Sequence, residues 1–482
     1  MKNSNKQTTN QNTTYFFTHK RERQLRKNFT ENLPKKVTKK LIVSAILAMT
    51  SPLAFANALG LTDVYKMALS HDAKLAQAQS QYQSNLQGVD TARAALLPQV
   101  QADGSYFITD SNIDSADVNT ESLSLTLNQS LYQHSSWARY DQAKYAAEAA
   151  VATYKNAEQD LILRVSQRYF DVLLAQTSLE LSKTKQAADL TQYKTAEASA
   201  ELGLSSRVDV LQAKSSFDLS KSETISAENG LDVALEALAK ITGQSVTRLK
   251  QNDLKALLPN ANLPTTSLAT NQLEKTAEVE NLTVKQAQAQ LAQATEEIEV
   301  QRSGYWPTVS LQAKYSDTDY SDYSGAAYAD NNATSVGVSV SMPLYSGGAT
   351  NSQVSAAKYQ SIAAQQALRD AQESARLNVR TQVLNIQRGE KLILALKEAV
   401  KSTDAFLESA EEGYKVGLKS LLEVLTARTN QTSAHKNLVE ALHNQVISRL
   451  NLEASLGDLT IDDIQVFEPL LQVPQSSKMA NK

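Results

Sequence analysis

Apolar residues recur at a strict interval of seven through Val379, Ile386, Ile393, Val400, Leu407 and Tyr414. A stripe sustained over that length predicts helices that supercoil against neighbours. About 214 residues upstream the same register reads Val165, Val172, Leu179, Gln186, Tyr193 and Ala200. Many flanking positions are Ala or Ser, so neighbouring helices can approach closely on more than one side. Ahead of each helical stretch the period drops to two. Val100, Ala102, Gly104, Tyr106 and Ile108 alternate with mostly polar residues, then Leu123, Leu125 and Leu127 with Ser and Thr. In the second half Val309, Leu311, Ala313 and Tyr315 alternate, then Val336, Val338, Val340 and Met342. Alternation over about ten residues predicts strands with one apolar and one polar face, the pattern of membrane-spanning barrels.

Glycine and proline punctuate this pattern by their absence. No proline falls between Pro98 and Pro259 or between Pro343 and Pro469, and no glycine between Gly104 and Gly203. The interval from Ser135 to Leu202 therefore reads as one helix, roughly 100 Å long at about 1.5 Å per residue. The helices break at Gly203 and Gly417. After each break, Ser206-x-x-Asp209 and Ser420-x-x-Glu423 fit capping boxes that start the next helix. A carboxylate in a first helical turn is favourable there whatever else it does.

The two halves repeat one order of elements: short helix, two strands, very long helix, tight break, another helix. Gly203-Leu204-x-Ser206-x-x-Asp209-Val210-Leu211-x-Ala213 returns as Gly417-Leu418-x-Ser420-x-x-Glu423-Val424-Leu425-x-Ala427. Leu131-Tyr132 returns as Leu344-Tyr345, and Leu97-Pro98 as Trp306-Pro307. One unit duplicated with small insertions is expected. The first repeat spans 57–265, with strands about 98–132 and long helices about 135–243. The second spans 266–468, with strands about 307–345 and long helices about 349–457. A flexible tail, 469–482, follows.

Composition changes the picture at the N-terminus. Lys35, Lys36, Lys39 and Lys40 precede the apolar run Leu41 to Ala48, and Ala54-Phe55-Ala56 offers a peptidase site. Residues 1–56 read as a basic extension and a secretory signal cleaved after Ala56. Without them the chain holds 37 basic and 49 acidic residues, a net charge of −12. That balance argues against a nucleic-acid partner. The chain has no cysteine, so neither a disulfide nor a lipidated N-terminal cysteine is available. No later apolar run is long enough for a membrane-spanning helix, which leaves a β-barrel as the route across a bilayer. Four strands cannot close such a barrel, since these begin at eight, and unpaired edges are forbidden in lipid. Each chain must contribute a third or a half of a shared barrel, so an oligomer is required.

The joining segments Thr109 to Thr120 and Ser316 to Thr334 read as water-exposed loops. Asp317-x-Asp319-x-x-Asp322 lacks the bidentate acid and the glycine of a calcium loop and reads as solvated. Enzyme readings fail. Beyond residue 56 the histidines are His71, His134, His435 and His443. The last two would lie about 12 Å apart along a helix, too far to share a metal. Ser346-Gly347-Gly348 reads as a strand-to-helix turn rather than a phosphate loop. No catalytic, metal or cofactor residue is expected.

Two helical hairpins that each carry a strand pair, together with a signal peptide, resemble the TolC family of trimeric outer-membrane efflux and secretion channels. The resemblance runs from Leu61-x-Asp63-Val64-Tyr65-x-x-Ala68-Leu69 to about Phe467. Pro343-Leu344-Tyr345-Ser346-Gly347-Gly348 and Tyr414-x-Val416-Gly417 are its best local marks. It implies a mainly α fold with a membrane β-barrel: a homotrimer closing twelve strands in the outer membrane above an α-helical barrel in the periplasm. It implies a periplasmic adaptor (membrane fusion) protein and an inner-membrane transporter or ABC-type secretion ATPase, which hold the energy source. The chain itself would be an exit duct gated at its periplasmic end.

By position, the resemblance places an entrance charge ring on Glu423, with Thr426 where a second acid is usual. It places the polar links between hairpins on Asp209, Tyr414 and Lys419. Lysine stands there for the usual arginine, which loses bidentate geometry, and Val208 replaces a hydroxyl residue, so a looser latch is expected. Beside these roles stand plainer ones: helix capping for Asp209 and Glu423, core packing for Tyr414. The alternative to a channel is a non-conducting coiled-coil protein of the cell surface, structural or adhesive, which leaves the strand pairs unexplained. An ordinary porin has no place for two long helical hairpins.

Overall fold

The structure is a computed structural model that describes residues 59–110, 118–251, 254–257, 269–321 and 329–472. The extension and signal segment, 1–56, lies outside the described residues. The element order repeats. Helices α1 (Leu61–His71) and α2 (Ala73–Ala94) lead into strands β1 (Gln99–Thr109) and β2 (Val118–Tyr132). The long helix α3 (His134–Glu201), α4 (Arg207–Thr242), the short α5 (Val246–Gln251) and β3 (Ala256–Leu257) follow. Then α6 (Thr270–Glu280), α7 (Leu282–Arg302), β4 (Thr308–Ser321), β5 (Asn331–Ser341), α8 (Ala349–Lys415) and α9 (Leu421–Leu456) repeat the pattern. The chain closes with α10 (Ile461–Gln465) and β6 (Leu471–Gln472). The two long helices have 68 and 67 residues, and the helices that return from them have 36 each.

The core sits part-way along these helices rather than at either end. Leu161, Val165, Tyr169 and Phe170 of α3 pack with Leu61 and Val64 of α1, Leu235 and Leu238 of α4, and Val446 and Leu450 of α9. The Tyr169 hydroxyl donates to the carbonyls of Leu59 (3.1 Å) and Lys255 (2.6 Å), tying two connecting segments to the helix. Asp72, the N-cap of α2, accepts from Leu75 N–H and takes a two-pronged bond from Arg164 at 2.8 and 3.0 Å. The guanidinium holds its carboxyl below the usual range. A second core joins Ala277 and Val284 to Val379, Val383 and Ile386 of α8 and to Leu452 and Leu456 of α9. Of the seven-residue stripe, Val379, Ile386, Ile393 and Leu407 are buried, while Val400 and Tyr414 are partly buried in the same seams.

The strands form one antiparallel sheet in the order β1-β2-β4-β5. Its register sorts the side chains onto two faces. Leu127 lies opposite Val100 and Ala313, and Leu125 opposite Ala102 and Tyr315. Val336 lies opposite Ala313, and Val338 opposite Leu311. The alternate face carries Thr126 and Ser124 beside Lys314 and Ser316. Val100, Ile108, Leu123, Val336, Val338 and Val340 are all exposed.

Two expectations need correction. The segments read as loops are partly strand: β2 begins at Val118, β4 runs to Ser321, and β5 begins at Asn331. Backbone pairing continues past the apolar band, where Asp317 faces Leu123 and Asp319 faces Glu121. Polar residues there carry no alternation to read. Of the acidic triplet, Asp317 and Asp319 are therefore in β4, and Asp322 lies outside the described residues. The tail expected from 469 also begins later. Leu471 is buried in the main core, and β6 pairs with β3. Residues 473–482 lie outside the described residues.

Candidate functional site at the hairpin tips

Both hairpins turn by the same device. Gly203 and Gly417 adopt φ of 75° and 76°, the left-handed region that glycine enters without steric cost. Behind Gly203, Leu204 N–H donates to the Ser199 carbonyl at 2.8 Å and Gly203 N–H to Ala200 at 3.0 Å. Behind Gly417, Leu418 N–H donates to Gly413 at 2.8 Å and Gly417 N–H to Tyr414 at 3.0 Å. These bonds satisfy the last carbonyls of each long helix.

The next helix starts with a reciprocal cap. Asp209 N–H donates to Ser206 Oγ at 3.1 Å, and Ser206 N–H donates back to Asp209 Oδ2 at 3.2 Å. The second hairpin copies this: Glu423 N–H to Ser420 Oγ at 3.3 Å, and Ser420 N–H to Glu423 Oε2 at 2.8 Å. Asp209 also accepts from the Ser206 and Ser205 hydroxyls at 2.8 and 3.4 Å, and these bonds lower its pKa.

Lys419 lies back over its own turn. Its Nζ donates to Glu423 Oε1 at 2.7 Å. Gly413 leaves the room: a Cβ there would stand 2.6 Å from Lys419 Cγ. The ammonium, then the Ser420 N–H and hydroxyl, hold the exposed Glu423 carboxyl down at about 2. Glu423 is thus ionised at every physiological pH, but its charge is matched within the protomer by Lys419. Tyr414 packs between two small apolar clusters, one with Ala196, Ala213, Leu421 and Leu425, the other with Leu407, Ala410 and Val424. Within one protomer, Asp209 and Lys419 each bond inside their own hairpin.

The four-stranded sheet stands at the other end of the long helices. Among the described residues no helix is long and apolar enough to cross a membrane, and no cluster of His, Cys, Asp or Glu could hold a metal. The family model described as outer membrane efflux protein matches residues 64–244 and 273–458. The chain belongs to the outer membrane efflux protein family. Outer membrane protein TolC of Vibrio cholerae is 33% identical over 438 residues, covering 90% of this chain and 98% of that relative. Proteases secretion protein PrtF of Dickeya chrysanthemi is 28% identical over 464 residues, covering 92% and 97%. The outer membrane channel CmeC of Campylobacter jejuni shares the fold at a TM-score of 0.72 and 18% identity, over 85% of this chain and 89% of that one.

As an outer membrane efflux protein, the chain is a channel of the outer membrane that extends into the periplasm, an exit duct for efflux and secretion, and not an enzyme. Sequence reasoning missed one group near the tips of this efflux protein: Arg428 with Asp189 and Glu411. The available signal was a charge on an apolar stripe, since Arg428 follows Leu421 by one heptad and Asp189 precedes Ala196 by one heptad.

Proposed function

We propose that three copies of the chain assemble the duct, each giving β1, β2, β4 and β5 to one barrel of twelve strands. The observation that carries this reading is the sheet itself. Its outer face is apolar and exposed, and β1 and β5 have no further strand beside them among the described residues. A barrel begins at about eight strands, and lipid does not tolerate unpaired edges. The repeats 57–265 and 266–468 would then act as two similar staves of the helical barrel.

In this reading the hairpin tips surround the periplasmic entrance. Three copies of Glu423 ring it, and Asp209, Tyr414 and Lys419 form the links between neighbouring hairpins that keep it narrow. Gly203, Ser206, Gly417 and Ser420 fix the shape of the tips. The Lys419–Glu423 pair makes the ring a weak cation trap, because each acid is partly neutralised. A periplasmic adaptor and an inner-membrane transporter or ABC-type ATPase would supply the energy. The similarity to the protease-secretion protein supports polypeptide cargo alongside small molecules.

Single-channel conductance of the purified protein in planar bilayers tests this. Low conductance that rises in Tyr414→Phe/Lys419→Ala supports a gated entrance. A folded, detergent-extracted oligomer that never conducts would reject the duct. Conductance indifferent to these changes would keep the duct and reject the links.

A further inference from the structure

The two hairpins meet along a seam near their tips. Leu421 and Leu425 of α9 pack there against Ala196 of α3 and Ala213 of α4. One heptad deeper, the seam changes character. Arg428 of α9 meets Asp189 of α3, Nη1 to Oδ1, at 3.3 Å, and their side chains are only 12% and 2% exposed. The other prong of the guanidinium, Nη2, donates to Glu411 of α8 at 2.6 Å. Arg428 therefore ties its own hairpin to the other one. The pairs Lys183–Glu228 and Lys185–Glu223 stay within the first hairpin, and His435–Asp404 and Arg449–Glu390 within the second.

Leucine and alanine would fill this layer at least as stably. The desolvation of two buried charges offsets their attraction, and an apolar replacement of matching volume is often neutral or stabilising. The pair is also incompletely satisfied. Asp189 Oδ2 is buried without a partner, and so is Nε2 of Gln192, one turn further along α3. What an ion pair adds to an apolar seam is register, because its attraction is strong in one alignment of the helices and lost in others. Its charges also gain water when the helices part, which apolar side chains do not.

We propose that Arg428 and Asp189 form a second latch, inside each protomer, that holds the two hairpins in the closed alignment, with Glu411 fixing the guanidinium. The proposal rests on the reading of the tips as the entrance. Counted along the helices from Gly417 and Gly203, the latch lies roughly 15 to 20 Å behind the tips at about 1.5 Å per residue. Asp209 and Lys419 bond within their own hairpins, so inside one protomer the crossing between hairpins here falls to this pair. Opening requires α9 to shift against α3. The pair then exchanges its mutual contact for hydration, which makes the shift a step between two states.

The test is single-channel conductance of the full trimer in planar bilayers, with trimer melting measured alongside. Asp189→Asn removes the charge that crosses the seam and leaves Arg428 with Glu411; conductance should rise several-fold. Asp189→Leu/Arg428→Met rebuilds an apolar seam and should return conductance to the wild-type level or below without lowering the melting temperature. A merely structural pair would shift melting and leave conductance alone. If Asp189→Asn does not fold, Arg428→Lys carries the same test, since a lysine cannot reach both acids with a fork. If these single changes conduct like wild type while Tyr414→Phe/Lys419→Ala rises, the entrance stands and the latch is overturned. If no variant rises from a folded trimer, the entrance reading falls with it. If the apolar double variant also conducts strongly, loosening of the seam rather than loss of the latch is the cause, and the proposal is overturned.

Discussion

At the scale of the residue, two groups give opposite pH behaviour. Glu423 is held at about 2 by Lys419 and the Ser420 cap, so its charge is constant from neutral to mildly acid solution. Divalent block through the entrance should therefore be the same at pH 7 and pH 5 and vanish in Glu423→Ala. Lys419→Gln, which removes the matching charge, should strengthen it; conductance with and without a divalent cation checks all three. His443 is different. It is buried against the Phe170 ring at 4.8 Å, its Nδ1 has no partner, and burial lowers its pKa to about 4 from 6.5. Between those values the unfolded chain takes up a proton that the folded chain refuses, so stability falls as pH drops from 6.5 towards 4 and levels off below. At about 1.4 kcal/mol per unit the loss approaches roughly 3 kcal/mol per protomer. Melting temperature against pH should flatten over this window in His443→Leu.

At the scale of the element, the long helices need no special device along their length, only at their ends. An added Cβ at Gly203 or Gly417 would meet nothing within 4 Å. Gly203→Ala or Gly417→Ala should therefore cost only the left-handed backbone penalty, about 1 to 2 kcal/mol each. Ser206→Ala or Ser420→Ala should cost about 1 kcal/mol by loss of the cap. Thermal melting of the assembled protein checks both, and a loss much larger than this would show that the tips bear load in the assembly. These turns were legible in the sequence because each rests on residues within six positions. The register of the sheet was not. Leu123 facing Gly104 on one side and Asp317 on the other is set by strands far apart in the chain.

At the scale of the whole molecule, the sheet decides how the chain meets a membrane. Val338 points to the apolar face and Ser339 to the polar one. Val338→Arg should cost about 2 to 4 kcal/mol near the middle of the bilayer and deplete the assembled form in outer-membrane fractions. Ser339→Arg, facing the interior, should assemble and change conductance instead. Equal tolerance of both would contradict the assignment of faces. The helical part has its core part-way along its length, and its distal ends are held by small seams such as Leu421 and Leu425 against Ala196 and Ala213. Thin packing at the tips suits a part of the molecule that must move.

The sequence by itself determined what local chemistry controls: uninterrupted helices where glycine and proline are missing, turns at Gly203 and Gly417, capping at Ser206 and Ser420, the duplication, and strands with one apolar face. These follow from propensities and periods read within a short window. Only the tertiary structure decided which residues share a layer across the two halves. It paired Lys419 with Glu423 rather than with the other hairpin, extended the strands past their apolar band, buried Leu471, and set Arg428 against Asp189. Each of these depends on where distant segments come to lie, and a helix stripe shows which face is buried without naming what buries it.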